Sequence, residues 1–337
     1  MENKIGKSCR SSSLSNSGVL NILAMAGPDY SALKQIGAIL NKNPKCKVVF
    51  LVGAGVSTAC GIPDFRTPGT GLYDNLEKLN LPFAEAVFDI EYFEKNPQPF
   101  YALAKELYPG NFQPSKLHYL MRLFQDKGRL RRVYTQNIDT LERAAGLRDE
   151  FIIEAHGSFH ANHCIKCDKQ YSMDKFKTKI LAEKPDDFAK CESCKGLIKP
   201  KIVFFGENLP SVFFDTWDGD LELLSKDHIV IVAGTSLSVY PFAALPTEVP
   251  KATPRALLNL QVAGDFKSNP RKSDMIFKGE AEEAAEVIVQ ELGWEDAFET
   301  LLEQEVKKEG KEVHAKYSEE IVEDVMDKVA ELELSEK

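Results

Sequence analysis

The sequence predicts an α/β protein: a Rossmann-like parallel sheet with helices on both faces, plus a smaller zinc-ribbon and helical module inserted into it. Three observations lead to this prediction. Short apolar runs rich in β-branched residues alternate with helical segments, as parallel sheets require. A glycine pair follows the first run, and two C-x-x-C pairs interrupt the alternation near mid-chain. A chain of 337 residues can bury one large core with an insertion, or two cores.

The predicted strands are continuous apolar runs, as expected for strands buried on both faces of a sheet. They cover 47–52, 130–135, 151–155, 201–205, 228–233, 256–260 and 275–277. Helices are predicted over 115–128, 139–145 and 281–292. Ser115 is the expected N-cap of the first helix, and Gly128 marks its end.

We divide the chain into a mobile N-terminal leader, a catalytic domain in two segments, a zinc-binding module and an acidic helical extension. In that order they cover 1–30, 31–158 with 199–293, 159–198 and 294–337. Within the catalytic domain, 62–127 is expected to form a cofactor loop and a helical insertion. The basic, serine-rich leader with its short apolar run superficially resembles a signal peptide or a mitochondrial presequence.

Composition and charge narrow the classes of function. With 43% apolar and 28% charged residues, the chain has the composition of a soluble globular protein. No apolar run approaches the roughly 18 residues that cross a bilayer, so we expect no membrane contact. The net charge is −9, but 280–337 holds 20 acidic residues against 6 lysines, which leaves the rest of the chain mildly basic. We expect no direct nucleic-acid binding.

The acidic extension has its own pattern. Apolar residues recur every four positions from Val313 to Val329, which predicts an amphipathic helix. One interpretation is a leucine-rich nuclear export signal that ends at Leu332 and Leu334. The other is a helix that packs on its own body, where it could be autoinhibitory, or on a second copy in self-association.

Two C-x-x-C pairs are separated by 23 residues. Their members are Cys164, Cys167, Cys191 and Cys194. This spacing is typical of one tetrahedral zinc ion, and four protein thiolates leave no open position for catalysis, so the ion is predicted to be structural. A redox role is the weaker alternative, because no thioredoxin-like context surrounds the pairs. His160 or His163 could replace one of the thiolates.

The segment Gly53–Ser57 directly follows the first predicted strand and reads Gly-Ala-Gly-Val-Ser. Two glycines here let the backbone approach a pyrophosphate, and a helix N-terminus beyond them supplies N–H donors. Thr58 replaces the third glycine of the dinucleotide fingerprint, so this pattern alone is equally consistent with a tight structural turn.

Polar groups cluster where other strands are predicted to end. Asp64, Phe65 and Arg66 can offer a carboxylate to an amide, a ring against water and a guanidinium to a phosphate. Gln136–Asp139 and His156 each follow a predicted strand, and ligands bind at the carboxyl ends of strands in open α/β sheets. A single histidine there is often only a structural hydrogen-bonding residue. Together with its neighbours, His156 is predicted to be catalytic.

Several motifs together resemble the sirtuin family of NAD-dependent protein-lysine deacylases, in its class I branch of cytoplasmic type. They are GAGVSTACGIPDFRTPGTGLYDNL, TQNIDTLERAAG, EAHGSF, the cysteine pairs, PKIVFFGENLP and GTSLSVYPFA, in order between about residues 45 and 294. The resemblance implies that an acyl-lysine oxygen attacks C1′ of the nicotinamide ribose. Nicotinamide, free lysine and O-acyl-ADP-ribose are then released.

The resemblance also implies a role for each matching position. His156 would be the general base, with Asn137 as a second catalytic residue. NAD would contact Gly53, Ala54, Gly55, Ser57, Thr58, Ile62, Asp64, Phe65, Arg66, Gln136, Asn137, Ile138, Asp139, Gly234, Thr235, Ser236, Asn259, Leu260, Gln261 and Ala281. The substrate peptide would lie as a strand against Val203, Phe204, Phe205, Gly206, Glu207 and Val239. The four cysteines would bind zinc.

This chain departs from the family pattern at two positions. Gln261 stands where many relatives have an acid for the adenosine hydroxyls, and Ala281 stands where some have cysteine. The first can still form hydrogen bonds, whereas the second offers only its backbone. The predicted lysine tunnel has no Tyr/Arg pair for an acidic acyl group, which favours acetyl and longer apolar groups.

Other functions remain as alternatives. An NAD-dependent protein ADP-ribosyltransferase, a nicotinamide-dependent dehydrogenase and a non-catalytic NAD-sensing scaffold would all use the same cleft. The expected partners are acetylated lysines in proteins or histone tails. The seven cysteines suit a reducing compartment, and we expect a cytoplasmic protein that shuttles through the nucleus, in preference to a mitochondrial one.

Overall fold

The computed structural model describes residues 29–62, 81–180 and 188–304. The strands in chain order are β1 (Lys47–Val52), β2 (Leu130–Thr135), β3 (Ile152–Glu154), β4 (Gly157–Cys164), β5 (Gln170–Ser172), β6 (Ile198–Ile202), β7 (His228–Ala233), β8 (Arg255–Asn259) and β9 (Met275–Lys278). The helices are α1 (Ser31–Lys42), α2 (Ile90–Lys95), α3 (Gln98–Glu106), α4 (Lys116–Asp126), α5 (Leu141–Ala144), α6 (Lys177–Ile180), α7 (Ser211–Leu223), α8 (Leu245–Glu248), α9 (Asp265–Ser268) and α10 (Ala281–Leu292). A further helical segment covers 295–304.

Six strands form one parallel sheet in the order β3-β2-β1-β7-β8-β9. The chain moves outward from β1 through β2 to β3, then returns to the other side of β1 and moves outward again from β7 to β9. The strand order therefore reverses between β1 and β7, and open α/β sheets bind their ligands at such a reversal. The predicted Rossmann-like fold is confirmed.

Both faces of the sheet are covered, which explains the continuous apolar strands. In β1, Val48, Phe50 and Val52 face one core, whereas Val49 and Leu51 face the other, and all five are fully buried. The first core lies under α1, α4 and α10, and the second lies under α7 and the segments that follow β7. Alternating side chains thus pack against two layers of helices, which is why Val48–Val52 are all apolar.

The strand predicted at 201–205 is misplaced, since only residues 201 and 202 lie in a strand and that strand is not part of the parallel sheet. Residues Ile198–Ile202 form β6, which pairs antiparallel with β4 in a separate sheet of order β5-β4-β6. The chain then leaves the sheet, and the Phe204 ring packs against Phe93 and Phe100 at centroid distances of 5.5 and 4.8 Å. The apolar run that resembled a buried strand is a loop anchored by an aromatic cluster, and periodicity cannot separate the two.

A third core joins the zinc-binding segment to the helical insertion. Side chains of α2, α3, β4 and β6 share it with Phe88 and Tyr171. We call this smaller unit the second body. Helix α4, in contrast, packs on the parallel sheet.

The start of the C-terminal extension belongs to the sheet domain. Trp294 packs against Phe124 with ring centroids 5.1 Å apart, and Phe298 and Leu301 are buried in the first core. The predicted amphipathic helix from 305 onward and the leader up to residue 28 lie outside the described residues. No helix in the described part of the chain has the length and apolar character to cross a membrane.

The N-terminus of α4 contains a fully buried histidine. Ser115 accepts the N–H of His118, and the Ser115 N–H donates to His118 Nδ1 in a capping box. Because Nδ1 accepts, Nε2 carries the proton, and this atom has no partner among the described residues. Burial lowers the pKa of His118 to about 3.

His118 should therefore make stability depend on pH. Below about pH 6.5 the unfolded chain binds a proton that the folded chain excludes, so stability falls as pH falls. His118→Gln can keep the capping box. Between about pH 6.5 and 5.5, we expect its free energy of unfolding to fall by about 1 kcal/mol less than that of the natural protein. Denaturant unfolding at several pH values measures this, with exposed His160→Gln as control. Equal pH slopes for His118→Gln and the natural protein would contradict the assignment.

Candidate functional site

A cleft of about 840 Å³ opens at the carboxyl ends of the central strands, where the strand order reverses. The sheet contributes Gly53 after β1, Gln136 after β2 and Gly234 after β7. The opposite wall comes from the second body and the loop after β6, including Phe88 and Val203. The cleft thus lies between the sheet and the second body, as expected for a ligand site of this fold.

The floor of the cleft is formed where the segments that follow the neighbouring strands β1 and β7 come into close contact. The Gly55 N–H donates to the Gly234 carbonyl at 2.8 Å. A Cβ on Gly55 would lie 2.7 Å from Gly234 Cα, and a Cβ on Gly234 would lie 2.5 Å from the Val56 nitrogen. Ala54 and Thr58 also line the floor. Neither glycine can carry a side chain here, so the cleft has a floor of bare backbone that a phosphate can approach.

The side chain of Asn137 has its orientation set by the backbone. It is 5% exposed, and its Nδ2 donates to the Gly53 carbonyl and to Ser57 Oγ, both at 3.2 Å. Both amide protons are therefore used. Because Asn137 lines the cleft, its oxygen Oδ1 is the group left to accept from a ligand or to stabilise positive charge. Gln136 and Ile138 line the cleft on either side of it.

Ser57 and Asp139 lie behind this wall. The Ser57 hydroxyl donates to Asp139 Oδ2 at 2.7 Å, and Asp139 Oδ1 accepts the Leu141 N–H at 3.0 Å. Burial raises the pKa of Asp139, while these hydrogen bonds favour its charged form. Neither side chain lines the cleft, and neither does Ile62, which is 9% exposed. In the structure these residues support the cleft wall.

His156 follows β3 and lines the cleft next to Gln136. Its Nδ1 lies 2.9 Å from the Gln136 carbonyl oxygen. A carbonyl can only accept, so Nδ1 carries the proton and Nε2 has a free lone pair. Burial lowers the pKa of His156, which keeps the ring neutral near physiological pH. A neutral imidazole with a free Nε2 in a cleft has the properties of a general base.

The end of β8 forms the far part of the cleft. The Asn259 side chain donates to the carbonyls of Thr235 and Gln261 at 3.2 and 2.8 Å, which ties the strand ends of β7 and β8 together. The predicted residues that line this part are Gly234, Thr235, Ser236, Asn259, Leu260, Gln261 and Ala281. All of them meet at one end of the cleft. Gln261 is exposed there, so its side chain is accessible from the cleft.

The loop after β6 forms the wall opposite the sheet. Its predicted members Val203, Phe204, Phe205, Gly206 and Glu207 all line the cleft, and Val239 lies across from them. The Phe205 N–H donates to the Phe88 carbonyl at 2.7 Å, and the Ile90 N–H donates back to Phe205 at 3.1 Å. Buried Lys199 pairs with Glu207 at 2.9 Å. The loop is therefore held in place by the second body.

The four predicted metal ligands come together. The Sγ atoms of Cys164, Cys167, Cys191 and Cys194 all lie within 4.8 Å of one another. Neighbouring sulfurs are 3.4 to 3.6 Å apart, far beyond a disulfide bond and close to the roughly 3.8 Å edge of a tetrahedral zinc–thiolate site. The histidines are outside this group, since His163 Nδ1 bonds Asp168 at 2.9 Å. The donor set fits one structural zinc ion.

The predicted site residues and the residues that line the cleft are not identical. Asp64, Phe65 and Arg66 lie outside the described residues, so their predicted nicotinamide and phosphate contacts stay predictions. Conversely, several lining residues were not predicted. They are Phe88, Ile202, Leu209, Tyr240, Leu258, Val262, Ala263, Gly264, Lys267, Gly279 and Glu280. Most of them lie within a few residues after a predicted strand. Their position at strand ends was the signal that could have identified them.

Comparison with known proteins agrees with this geometry. The Sir2 family profile matches residues 53–241. The NAD-dependent protein deacetylase HST2 of Candida albicans is 54% identical over 264 residues, which cover 78% of each chain. NAD-dependent protein deacetylase sirtuin-2 of Danio rerio is 47% identical over 77% of this chain and 72% of its own. NAD-dependent protein deacetylase hst2 of Schizosaccharomyces pombe is 46% identical over 82% and 80%. The sirtuin resemblance is confirmed, and this chain belongs to the Sir2 family.

Proposed function

We propose that this protein is an NAD-dependent protein-lysine deacetylase. The proposed reaction consumes NAD and an acylated lysine and releases nicotinamide, the free lysine and O-acyl-ADP-ribose. The observation that carries the proposal is the pairing of a neutral His156 with the fixed carbonyl oxygen of Asn137, above a backbone floor at the strand reversal. Relatives named NAD-dependent protein deacetylases support it.

The cleft can hold a dinucleotide along its length. The bare backbone at Gly55 and Gly234 suits the pyrophosphate, because neither residue has space for a side chain that would cover the main-chain atoms. Asn259 and Gln261 suit the adenosine half at one end. The nicotinamide half then lies near Asn137 and His156. When bound, NAD supplies the ribose carbon that accepts the acyl oxygen.

His156 and Asn137 divide the chemical work. With NAD bound, the free Nε2 of His156 would accept a proton from a ribose hydroxyl, and the Gln136 carbonyl would stabilise the resulting imidazolium through Nδ1–H. The Asn137 Oδ1 places negative partial charge where positive charge develops as nicotinamide leaves. Both groups are held by backbone atoms before substrate arrives, so little reorganisation is required.

The acylated peptide is proposed to lie as a strand between the loop of Phe205–Glu207 and the segment Ser236–Tyr240. Its lysine would enter along Phe88, Val203 and Phe204 toward His156. No arginine is found among the described residues that line the cleft. This apolar passage favours acetyl and longer apolar acyl groups over succinyl.

Several finer points belong to the proposal. Histone tails are proposed among the substrates, and we place the protein in the cytoplasm with passage through the nucleus. The acidic segment beyond 304, for which the sequence predicts a helix, is proposed to regulate the enzyme by covering the cleft or by self-association. The basic character of the rest of the chain supports contact with this acidic segment.

Incubation with NAD and an acetyl-lysine peptide tests the function. Mass spectrometry should detect deacetylated peptide and O-acetyl-ADP-ribose. His156→Ala should lose about 10²- to 10⁴-fold in kcat, because general-base catalysis contributes that much. Exposed His160→Ala, with unchanged folding, is the matched control. ADP-ribosylated peptide instead would favour a transferase acting on protein, and undiminished turnover by His156→Ala would remove the assigned base.

The activity should also fall on acidification. Because burial lowers the pKa of His156, its base form persists below the ordinary value of about 6.5. The acid limb of kcat/KM should therefore lie below about pH 6.5. Initial rates across the acidic range measure this, with circular dichroism as a control for unfolding. A limb above that value would mean that His156 is not the titrating base.

Zinc removal tests the metal site. Because the ion joins two cysteine pairs within the second body, its loss should unfold this module and remove activity with it. Cys194→Ser should lower the zinc content from one ion per chain and reduce the Tm, whereas Cys60→Ser, outside the cluster, should retain the metal. Metal analysis and thermal unfolding measure both. Full zinc content in Cys194→Ser would contradict the four-thiolate site.

A further inference from the structure

Glu142 is a buried acid that the proposed reaction does not use. It lies in α5 and is 1% exposed. Its Oε1 has no hydrogen-bond partner among the described residues, and no ion pair joins it to any of the described cations. An ionised carboxylate in this position would be poorly compensated. Burial and the nearby Asp139 raise the pKa of Glu142 to about 8.

Hydrogen bonds connect Glu142 to the cleft wall from behind. The Thr135 side chain is its hydrogen-bonding neighbour, and Thr135 Oγ1 accepts the N–H of Asn137 at 3.1 Å. The Thr135 hydroxyl proton is then directed to the acid. From the other side, Ser57 donates to Asp139 and accepts from Asn137. Asn137 is thus held between two buried acids, one reached through Thr135 and the other through Ser57.

The two acids are not equivalent. Asp139 accepts two short hydrogen bonds, from Ser57 and from the Leu141 N–H, and both stabilise a carboxylate. Apart from the backbone N–H of its own residue, which each of the two carboxyl groups has, Glu142 has the Thr135 side chain as its one such neighbour among the described residues, and its Oε1 is without a partner there. The other charged group that faces both is Glu154, whose charge is paired with Arg143. One negative charge is therefore favoured for the pair, and it resides on Asp139.

We propose that Glu142 is a positioning residue that holds a proton for the pair. As a neutral acid it leaves Asp139 as the single anion beneath the cleft. That anion draws the Ser57 proton, so Ser57 must accept from Asn137 and the Asn137 carbonyl must face the ligand. Two adjacent anions would repel each other, and this repulsion would weaken the hydrogen bonds that run from Asn137 to Ser57 and from Ser57 to Asp139. The inference rests on the proposed function and adds the group that keeps Asn137 oriented.

Three variants test this role. Glu142→Gln is isosteric with the neutral acid and should keep kcat/KM for NAD within about threefold. Glu142→Ala should lower kcat/KM for NAD at least about tenfold, because Thr135 loses the acceptor of its hydroxyl proton and no longer fixes the Asn137 N–H, while KM for the acetylated peptide stays unchanged. Glu150→Ala, an exposed acid close in sequence, should match the natural enzyme. Thermal unfolding of each variant gives the folded fraction.

Infrared spectroscopy detects whether the Glu142 carboxyl group is protonated, and it requires no substrate. At about neutral pH, the difference between the natural protein and Glu142→Gln should contain the C=O stretch of a neutral carboxylic acid. A carboxylate band there, or damage by Glu142→Gln equal to that of Glu142→Ala, would overturn the proposal. If the natural protein released no nicotinamide, the proposed function would fail, while infrared and NAD-binding calorimetry on the same variants would still decide the role of Glu142.

Discussion

The structure depends on the close contact between the ends of two neighbouring strands, β1 and β7, where the strand order of the sheet reverses. Gly55 and Gly234 meet there through a 2.8 Å hydrogen bond, with no space for a Cβ on either residue. This contact places the ends of β1 and β7 side by side and leaves main-chain atoms as the cleft floor. The other site residues are arranged around it: Asn137 is bonded to Gly53, and Asn259 to Thr235.

A second constraint is that backbone carbonyls set the polarity of the reactive side chains. The Gly53 carbonyl accepts a hydrogen bond from the Asn137 side-chain amide, and the Gln136 carbonyl accepts one from His156 Nδ1. An acceptor oxygen and a free Nε2 then remain for the ligand. Neither assignment requires a charged residue in the cleft itself. The buried carboxyl group of Asp139 lies one layer behind, bonded to Ser57, and as the anion proposed above it can stabilise a developing cation without contacting the ligand.

The sheet and the metal site were predictable from the chain because their signals are local. Continuous apolar runs marked all six strands of the parallel sheet near their observed bounds, and cysteine spacing marked the zinc ligands. The loop at Phe204 was mistaken for a strand because its apolar residues serve an aromatic cluster formed with distant helices. Glu142 was missed for a similar reason. Its proposed role comes from the residues that the fold places beside it, and no sequence pattern indicates them.

The central claim is that the cleft brings an NAD ribose against the free nitrogen of His156. A crystal structure with a poorly reactive NAD analogue and an acetyl-lysine peptide tests this most directly. We expect a ribose hydroxyl within about 3 Å of His156 Nε2, and the pyrophosphate over Gly55. A dinucleotide bound elsewhere, or a ribose far from His156 with the peptide in place, would contradict it.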